Sequence, residues 1–219
     1  MLITHEGPEA TGKSTHAKLL AKMLVERGYD VFLTKEPGSP HDPICGAIRK
    51  ILLDPSNVIS DKAALFLFLA DRAQHMEIIT KELALGKVVI SDRSSLSTYV
   101  YHIAKERDYV SGMDSTLCGM LDEAQLVRPD VCLIFSASLE WSMTQLRARE
   151  TLDRIEKFGE AFHANTHTLF GQEQMSILTT MLHSSRPKDI VYVPETSGHT
   201  EDEISQFILN IVMRQLECE

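Results

Sequence analysis

The apolar residues of this chain fall into short unbroken runs separated by longer stretches of helical spacing. Met1-Leu2-Ile3-Thr4-His5, ending at Glu6, is one such run, and others cover 31–34, 87–93, 131–135 and 189–193. Runs this short, without polar alternation, predict strands covered on both faces. Between the first two, Leu20, Met23, Leu24 and Arg27 fall at helical spacing before Gly28, a natural C-terminal cap. Further helices are predicted at 43–53 with Pro43 in the first turn, from a Ser60 cap to about 85, at 94–107, at 111–127, from a Ser138 cap to about 149, over a region at 158–183, and at 201–216. Leu65-Phe66-Leu67-Phe68-Leu69-Ala70 is apolar on every side, so its helix is expected to lie across the core and any cleft. Strand alternating with helix predicts an α/β fold, a doubly wound parallel five-stranded sheet with right-handed crossovers, flanked by helices in a single domain over 1–219.

Composition narrows the classes. With 219 residues and 43% hydrophobic content the chain can bury a sizeable core. A net charge of −9 argues against nucleic acid or an anionic membrane as the main partner. Cys45, Cys118, Cys132 and Cys218 lack C-x-x-C spacing and read as reduced thiols of a cytoplasmic protein. No basic leader precedes the first strand and no run is long enough to span a bilayer.

The chemistry begins at Gly7-Pro8-Glu9-Ala10-Thr11-Gly12-Lys13-Ser14, which reads G-x-x-x-x-G-K-S, with Thr15 following. The pattern lies between a strand and a helix, the context a phosphate-binding loop requires. Gly7 and Gly12 let successive N–H groups turn toward one anion, and the helix N-terminus adds partial positive charge. Lys13 would reach terminal phosphates and Ser14 a Mg²⁺ ion, so the sheet is expected to be of the P-loop NTPase type. Asp92 and Arg93 close a strand at its carboxyl end, where ligands of parallel sheets bind; Asp92 is a candidate for the Mg²⁺ shell and Arg93 for a phosphate. Arg72 follows the apolar run directly and suggests a bound anion or polar ligand, the alternative being an ion pair with Asp71 or Glu77.

Four stretches together resemble thymidylate kinases of the P-loop nucleoside-monophosphate kinase group: the phosphate loop, Thr34-Lys35-Glu36-Pro37-Gly38, Leu67-Phe68-Leu69-Ala70-Asp71-Arg72-Ala73-Gln74-His75, and Ile90-Ser91-Asp92-Arg93 with Ser97-Thr98 beyond it. Arg147-Ala148-Arg149 with Leu152-Asp153-Arg154 adds a lid signature, placed at about 147–158. The resemblance implies transfer of phosphate from ATP to dTMP with Mg²⁺. It implies that Lys13, Ser14 and the loop amides hold ATP, that Glu9 contacts the sugar or orients the acceptor, and that Arg49 and Arg93 hold the acceptor phosphate. Glu36 and Pro37 belong to the substrate loop, Phe68 would stack on the base, Arg72 would hydrogen-bond it, and Ser97, Thr98 and Tyr101 would line the nucleoside pocket. The loop carries no arginine between Gly7 and Lys13, so the lid would supply one: Arg149, with Arg147 or Arg154 as substitutes. The family is typically homodimeric, and the helix near Phe66 is a candidate interface. Lys35 replaces the family's usual arginine, Ser39 its second glycine, and the run from His102 to Asp108 its usual Gln-Gly continuation.

Other classes are less well served. A guanine-binding N-K-x-D, expected of a nucleotide switch, does not occur. A kinase for a modified dUMP is one alternative; another is a deoxynucleoside kinase, which would need a base at the acceptor hydroxyl, with Glu9 or Glu36 available. A non-catalytic binding protein would not need the arginines. His163 and His167 lie four apart on a predicted helix but lack a third ligand, and read as polar surface residues.

Overall fold

The computed structural model describes residues 1–105, 115–180, 182 and 185–217. The predicted helix end at 106–107, the start at Ser111, the end at His183, and Cys218 lie outside the described residues. Five parallel strands form one sheet in the order β2-β3-β1-β4-β5. The central strand β1 (Leu2–Glu6) is buried throughout. It pairs with β3 (Val88–Asp92) from Leu2–Val89 to His5–Asp92, and with β4 (Val131–Ile134) from Ile3–Val131 to Glu6–Ile134. β2 (Val31–Lys35) and β5 (Asp189–Tyr192) form the edges.

Successive strand residues point to opposite faces. Ile3, Ile90 and Leu133 pack with Leu20 and Leu24 of α1 (Lys13–Val25) and Ile204, Ile208 and Val212 of α9 (Glu201–Glu217). Cys132 and Ile134 share a second cluster with α4 (Ser95–Ile103), α5 (Ser115–Ala124), α7 (Glu160–Leu169) and α8 (Gln172–Thr180). α2 (Pro43–Leu53) is capped by Asp42, which accepts from the Cys45 N–H at 2.8 Å. α3 (Asp61–Ala84) is capped by Ser60 and packs against α2, while α6 (Leu139–Arg147) leads into the charged segment expected to form a lid.

Several expected boundaries shift for identifiable reasons. α1 begins inside the motif, because Gly12 (φ 83) ends the loop just before Lys13, and Gly28 (φ 88) lies beyond its last turn. β3 stops at Asp92, because Arg93 takes φ 82. The helical region at 158–183 is two helices, separated where Gly171 bonds back to the Thr168 carbonyl at 3.0 Å. α3 is not enclosed all round: Phe66 is 57% exposed. No helix among the described residues is long and apolar enough to cross a membrane.

The chain runs from β1 out to β2, returns to β3, then crosses to β4 on the other side of β1. That reversal opens a crevice at the carboxyl ends of β1 and β3. The phosphate loop follows β1, and Asp92 and Arg93 end β3 or follow it.

Candidate active site

A cleft of about 540 Å³ opens at this crevice. Its floor is the phosphate loop. Gly7 has φ 139, and a Cβ there would stand 2.4 Å from the Phe135 carbonyl oxygen, so no side chain fits. Lys13 folds back over the loop, donating to the Pro8 carbonyl and, at 3.3 Å, to Thr11 Oγ1. Burial, and then the nearby Arg93, lower the Lys13 pKa to about 7, although Glu9 and Asp92 work the other way. Ser14 Oγ donates to Asp92 Oδ2, while the buried Asp92 Oδ1 has no hydrogen-bond partner. A carboxylate oxygen free of donors beside a hydroxyl suits a divalent cation.

The centre of the cleft is Arg93. One guanidinium nitrogen donates to Glu9 at 2.7 Å; the other donates to the Gly7 carbonyl at 3.1 Å and to Ser97 Oγ at 2.8 Å. Tyr101 lies 4.9 Å beneath the guanidinium, and its hydroxyl donates to Glu9 at 3.0 Å. Burial opposes ionisation of Glu9, but Arg93 and Lys13 outweigh it and hold its pKa at about 2.

The opposite wall comes from α3. Arg72, 2% exposed, donates to Thr98 Oγ1 at 3.1 Å and to Glu36, while its Nε is buried without a partner. Burial works against the Glu36 carboxylate, but Arg72 and His75 hold its pKa below the ordinary value. His75 bonds Glu36 at 3.1 Å and Thr34 Oγ1 at 2.7 Å, and Thr34 bonds Ser39 Oγ at 3.1 Å. The partner of Arg72 is therefore Glu36, and neither Asp71 nor Glu77. Asp71 instead accepts the Gly38 N–H at 3.0 Å. Burial and then the neighbouring Glu36 raise the Asp71 pKa to about 6. Arg49 lies across Gly38, where a Cβ would meet its side chain at 2.4 Å, and donates to the Pro37 carbonyl at 2.6 Å.

The three arginines of the expected lid segment separate. Arg149 lines the cleft and pairs with Glu156, whose other oxygen accepts the Asp153 N–H at 3.0 Å. Arg154 is turned away: its Nε donates to the Leu52 carbonyl at 2.6 Å and its N–H to that of Leu53 at 2.9 Å. Arg147 is 69% exposed, 3.8 Å from Glu160. His163 is buried, not on the surface, and its ring bonds the Glu156 carbonyl at 3.3 Å.

A family model described as thymidylate kinase matches residues 5–191. The chain belongs to the thymidylate kinase family. A thymidylate kinase of Pseudomonas putida (strain W619) is 40% identical over 169 residues, covering 74% of this chain and 77% of that protein. One from Ectopseudomonas mendocina (strain ymp) is 40% identical over 170 residues, 74% of this chain and 76% of that protein. A third, from Pseudomonas entomophila (strain L48), is 39% identical over 169 residues, with the same two shares.

Of the residues the family resemblance singled out, the loop from Glu9 to Thr15, the substrate loop at Glu36 and Pro37, and Arg49, Phe68 and Arg72 all line the cleft. So do Asp92, Arg93, Ser97, Thr98, Tyr101 and Arg149. Gly7 and Pro8 shape the loop from behind; Arg147 and Arg154 do not reach the cleft. Lys35 and Ser39, where the chain departs from the family pattern, both have places here. Lys35 lines the cleft, and Ser39 ends the Glu36–His75–Thr34 chain. Sequence reasoning missed Glu6, which accepts from the Ser94 N–H and hydroxyl at 2.7 Å each and from Ser97 Oγ. It also missed Glu156. A charged residue ending a short strand just before the glycine motif was the available signal for Glu6.

Proposed function

We infer that this chain transfers the γ-phosphoryl group of ATP to dTMP, giving ADP and dTDP. The observation that carries this reading is convergence. Lys13, Arg49, Arg93 and Arg149, from four separate parts of an acidic chain, line one cleft opposite a wall built on Arg72. Phosphoryl transfer needs little covalent help from the protein. The attacking oxygen belongs to a phosphate already ionised at neutral pH, so no strong general base is required. The protein must bring two polyanions into line and neutralise charge on the group in flight.

In this reading the loop amides, Lys13 and Thr15 hold the ATP phosphates, and Arg49 and Arg93 hold the dTMP phosphate, with Pro37 and Gly38 setting Arg49. Phe68 stacks on the base, and Arg72 offers its unpartnered Nε–H to an acceptor on it. Ser97, Thr98 and Tyr101 border the sugar and base, while Glu9 orients Arg93 and Tyr101 and contacts the sugar. Ser14 and the orphan oxygen of Asp92 would hold Mg²⁺, which screens phosphate charge when bound. Arg149 is the lid arginine for the transferring group. Closure of the lid, taken as 147–158 of one domain over 1–219, keeps water from the γ-phosphate.

We further propose a homodimer in the cytoplasm. The paired helices α2 and α3 expose Ile44 (55%), Ile51 (46%) and Phe66 (57%), apolar surface that a second copy would cover. The experiment for the reaction is a steady-state panel of dTMP, dUMP, dCMP, UMP and thymidine with ATP. The expected order is dTMP above dUMP and far above dCMP, with Tyr101 disfavouring the 2′-hydroxyl of UMP. Equal use of dCMP, or preference for thymidine, would sink the reading.

A further inference from the structure

Arg93 carries much of the proposed reaction, yet its backbone sits at φ 82, a region that disfavours any residue with a side chain. Its surroundings hold it there. The Arg93 N–H donates to the His5 carbonyl at 2.9 Å, and its carbonyl accepts from Ser91 Oγ at 2.8 Å. The next residue, Ser94, gives both its N–H and its hydroxyl to Glu6 Oε1. Glu6 Oε2 accepts from Ser97 Oγ, the same atom that receives the Arg93 guanidinium. One carboxylate therefore grips the backbone just after Arg93 and the side chain against which Arg93 rests.

Glu6 is 0% exposed and does not line the cleft, so it cannot touch a nucleotide. A buried carboxylate is costly to hold, and a neutral side chain would fill the same space. α4 has no cap bond from the Ser94 side chain to its own first turn, because Ser94 is turned toward Glu6 instead. We infer that Glu6 is a positioning residue, fixing Arg93 in the conformation that meets the acceptor phosphate. The inference rests on the role given to Arg93 above and adds a part of the machinery to it.

A double-mutant cycle tests it. Glu6→Gln leaves the Ser97 hydroxyl facing an amide N–H donor. It should lower kcat/KM for dTMP about tenfold, the order expected when support to a charged group is lost. The ATP dissociation constant, set by the phosphate loop, should stay within about twofold. In an Arg93→Ala background the same substitution should cost nothing further. Full additivity in that background, or an unchanged kcat/KM for Glu6→Gln alone, overturns the inference. Arg93→Ala with wild-type turnover overturns the reading of Arg93 and the inference with it. If Glu6→Gln yields no folded protein, Glu6→Asp takes its place in the cycle. It keeps the charge but draws the carboxylate back by one methylene from Ser94 and Ser97, neither of which is altered, and the same outcomes decide.

Discussion

Arg72 carries five N–H donors and no acceptor. Placed against a pyrimidine it matches the O4 acceptor of thymine and opposes the amino group of cytosine. A desolvated mismatch of this kind costs about 1–3 kcal/mol, hence roughly 10–200-fold against dCMP. Arg72→Ala should therefore narrow the gap between dTMP and dCMP in kcat/KM. The structure adds a second consequence, because Arg72 also neutralises Glu36 at a site only a few per cent exposed. Removing one partner of a buried pair typically costs about 3–5 kcal/mol, so Arg72→Ala should lower the melting temperature, and adding Glu36→Gln should restore part of it. If Arg72→Ala keeps full discrimination while losing stability, Arg72 is structural and does not read the base. Lys13 offers a different measurement. With its pKa at about 7, below the ordinary 10.5, it is largely neutral at pH 8 in the free protein. Triphosphate beside it favours the charged form and raises that pKa. Binding ATP at pH 8 should then take up close to one proton, and less at pH 6, where Lys13 is already charged. Calorimetry in buffers of different ionisation enthalpy reads this directly, and no difference between the two pH values would contradict it.

Among the elements, the lid has the most to decide. The sequence put Arg149 first, with Arg147 or Arg154 as substitutes, since spacing within a charged run says nothing about direction. In the structure only Arg149 of the three lines the cleft, while Arg154 is tied to the end of α2. Arg149→Ala should lower kcat by about 10²–10³-fold with little change in dTMP affinity, because its contact belongs to the transition state. Arg147→Ala should stay near wild type. Arg154→Ala should act through lid packing against α2, lowering stability more than kcat. Single-turnover rates for the three variants separate these outcomes, and a wild-type rate for Arg149→Ala would leave the segment a charged surface. The difference in legibility has a physical basis. Strands, glycine loop and helix starts were readable because each depends on local periodicity and on residues within a few positions. The Arg72–Glu36 pair joins residues 36 apart, and the Glu6–Ser97 bond joins residues 91 apart. Those pairings exist only once β1, β2 and β3 lie side by side, so the sequence offered only Asp71 or Glu77 as ion-pair alternatives to a ligand for Arg72, and no role for Glu6.

At the scale of the whole molecule, a net charge of −9 coexists with a cleft lined by cations. The surplus acid lies elsewhere, as in the first turn of α9 with Glu201, Asp202 and Glu203, and discourages binding to other polyanions. The remaining feature at this scale is apolar. α3 presents Phe66 outward while the same helix carries Phe68, Asp71 and Arg72 into the cleft. A partner seated on the outer side of α3 would therefore brace the helix that shapes the base wall, making the proposed dimer relevant to activity as well as to solubility. Stable dimers bury about 800 Å² or more on each partner, and a charge at the centre of such a contact is desolvated without compensation. Phe66→Asp should convert a dimer to a monomer in sedimentation equilibrium at micromolar concentration. Since Phe66 does not line the cleft, loss of dTMP turnover in that variant should recover as protein concentration is raised and dimers re-form. A wild-type chain that sediments as a monomer, or a Phe66→Asp chain that stays dimeric, would move the interface off this helix.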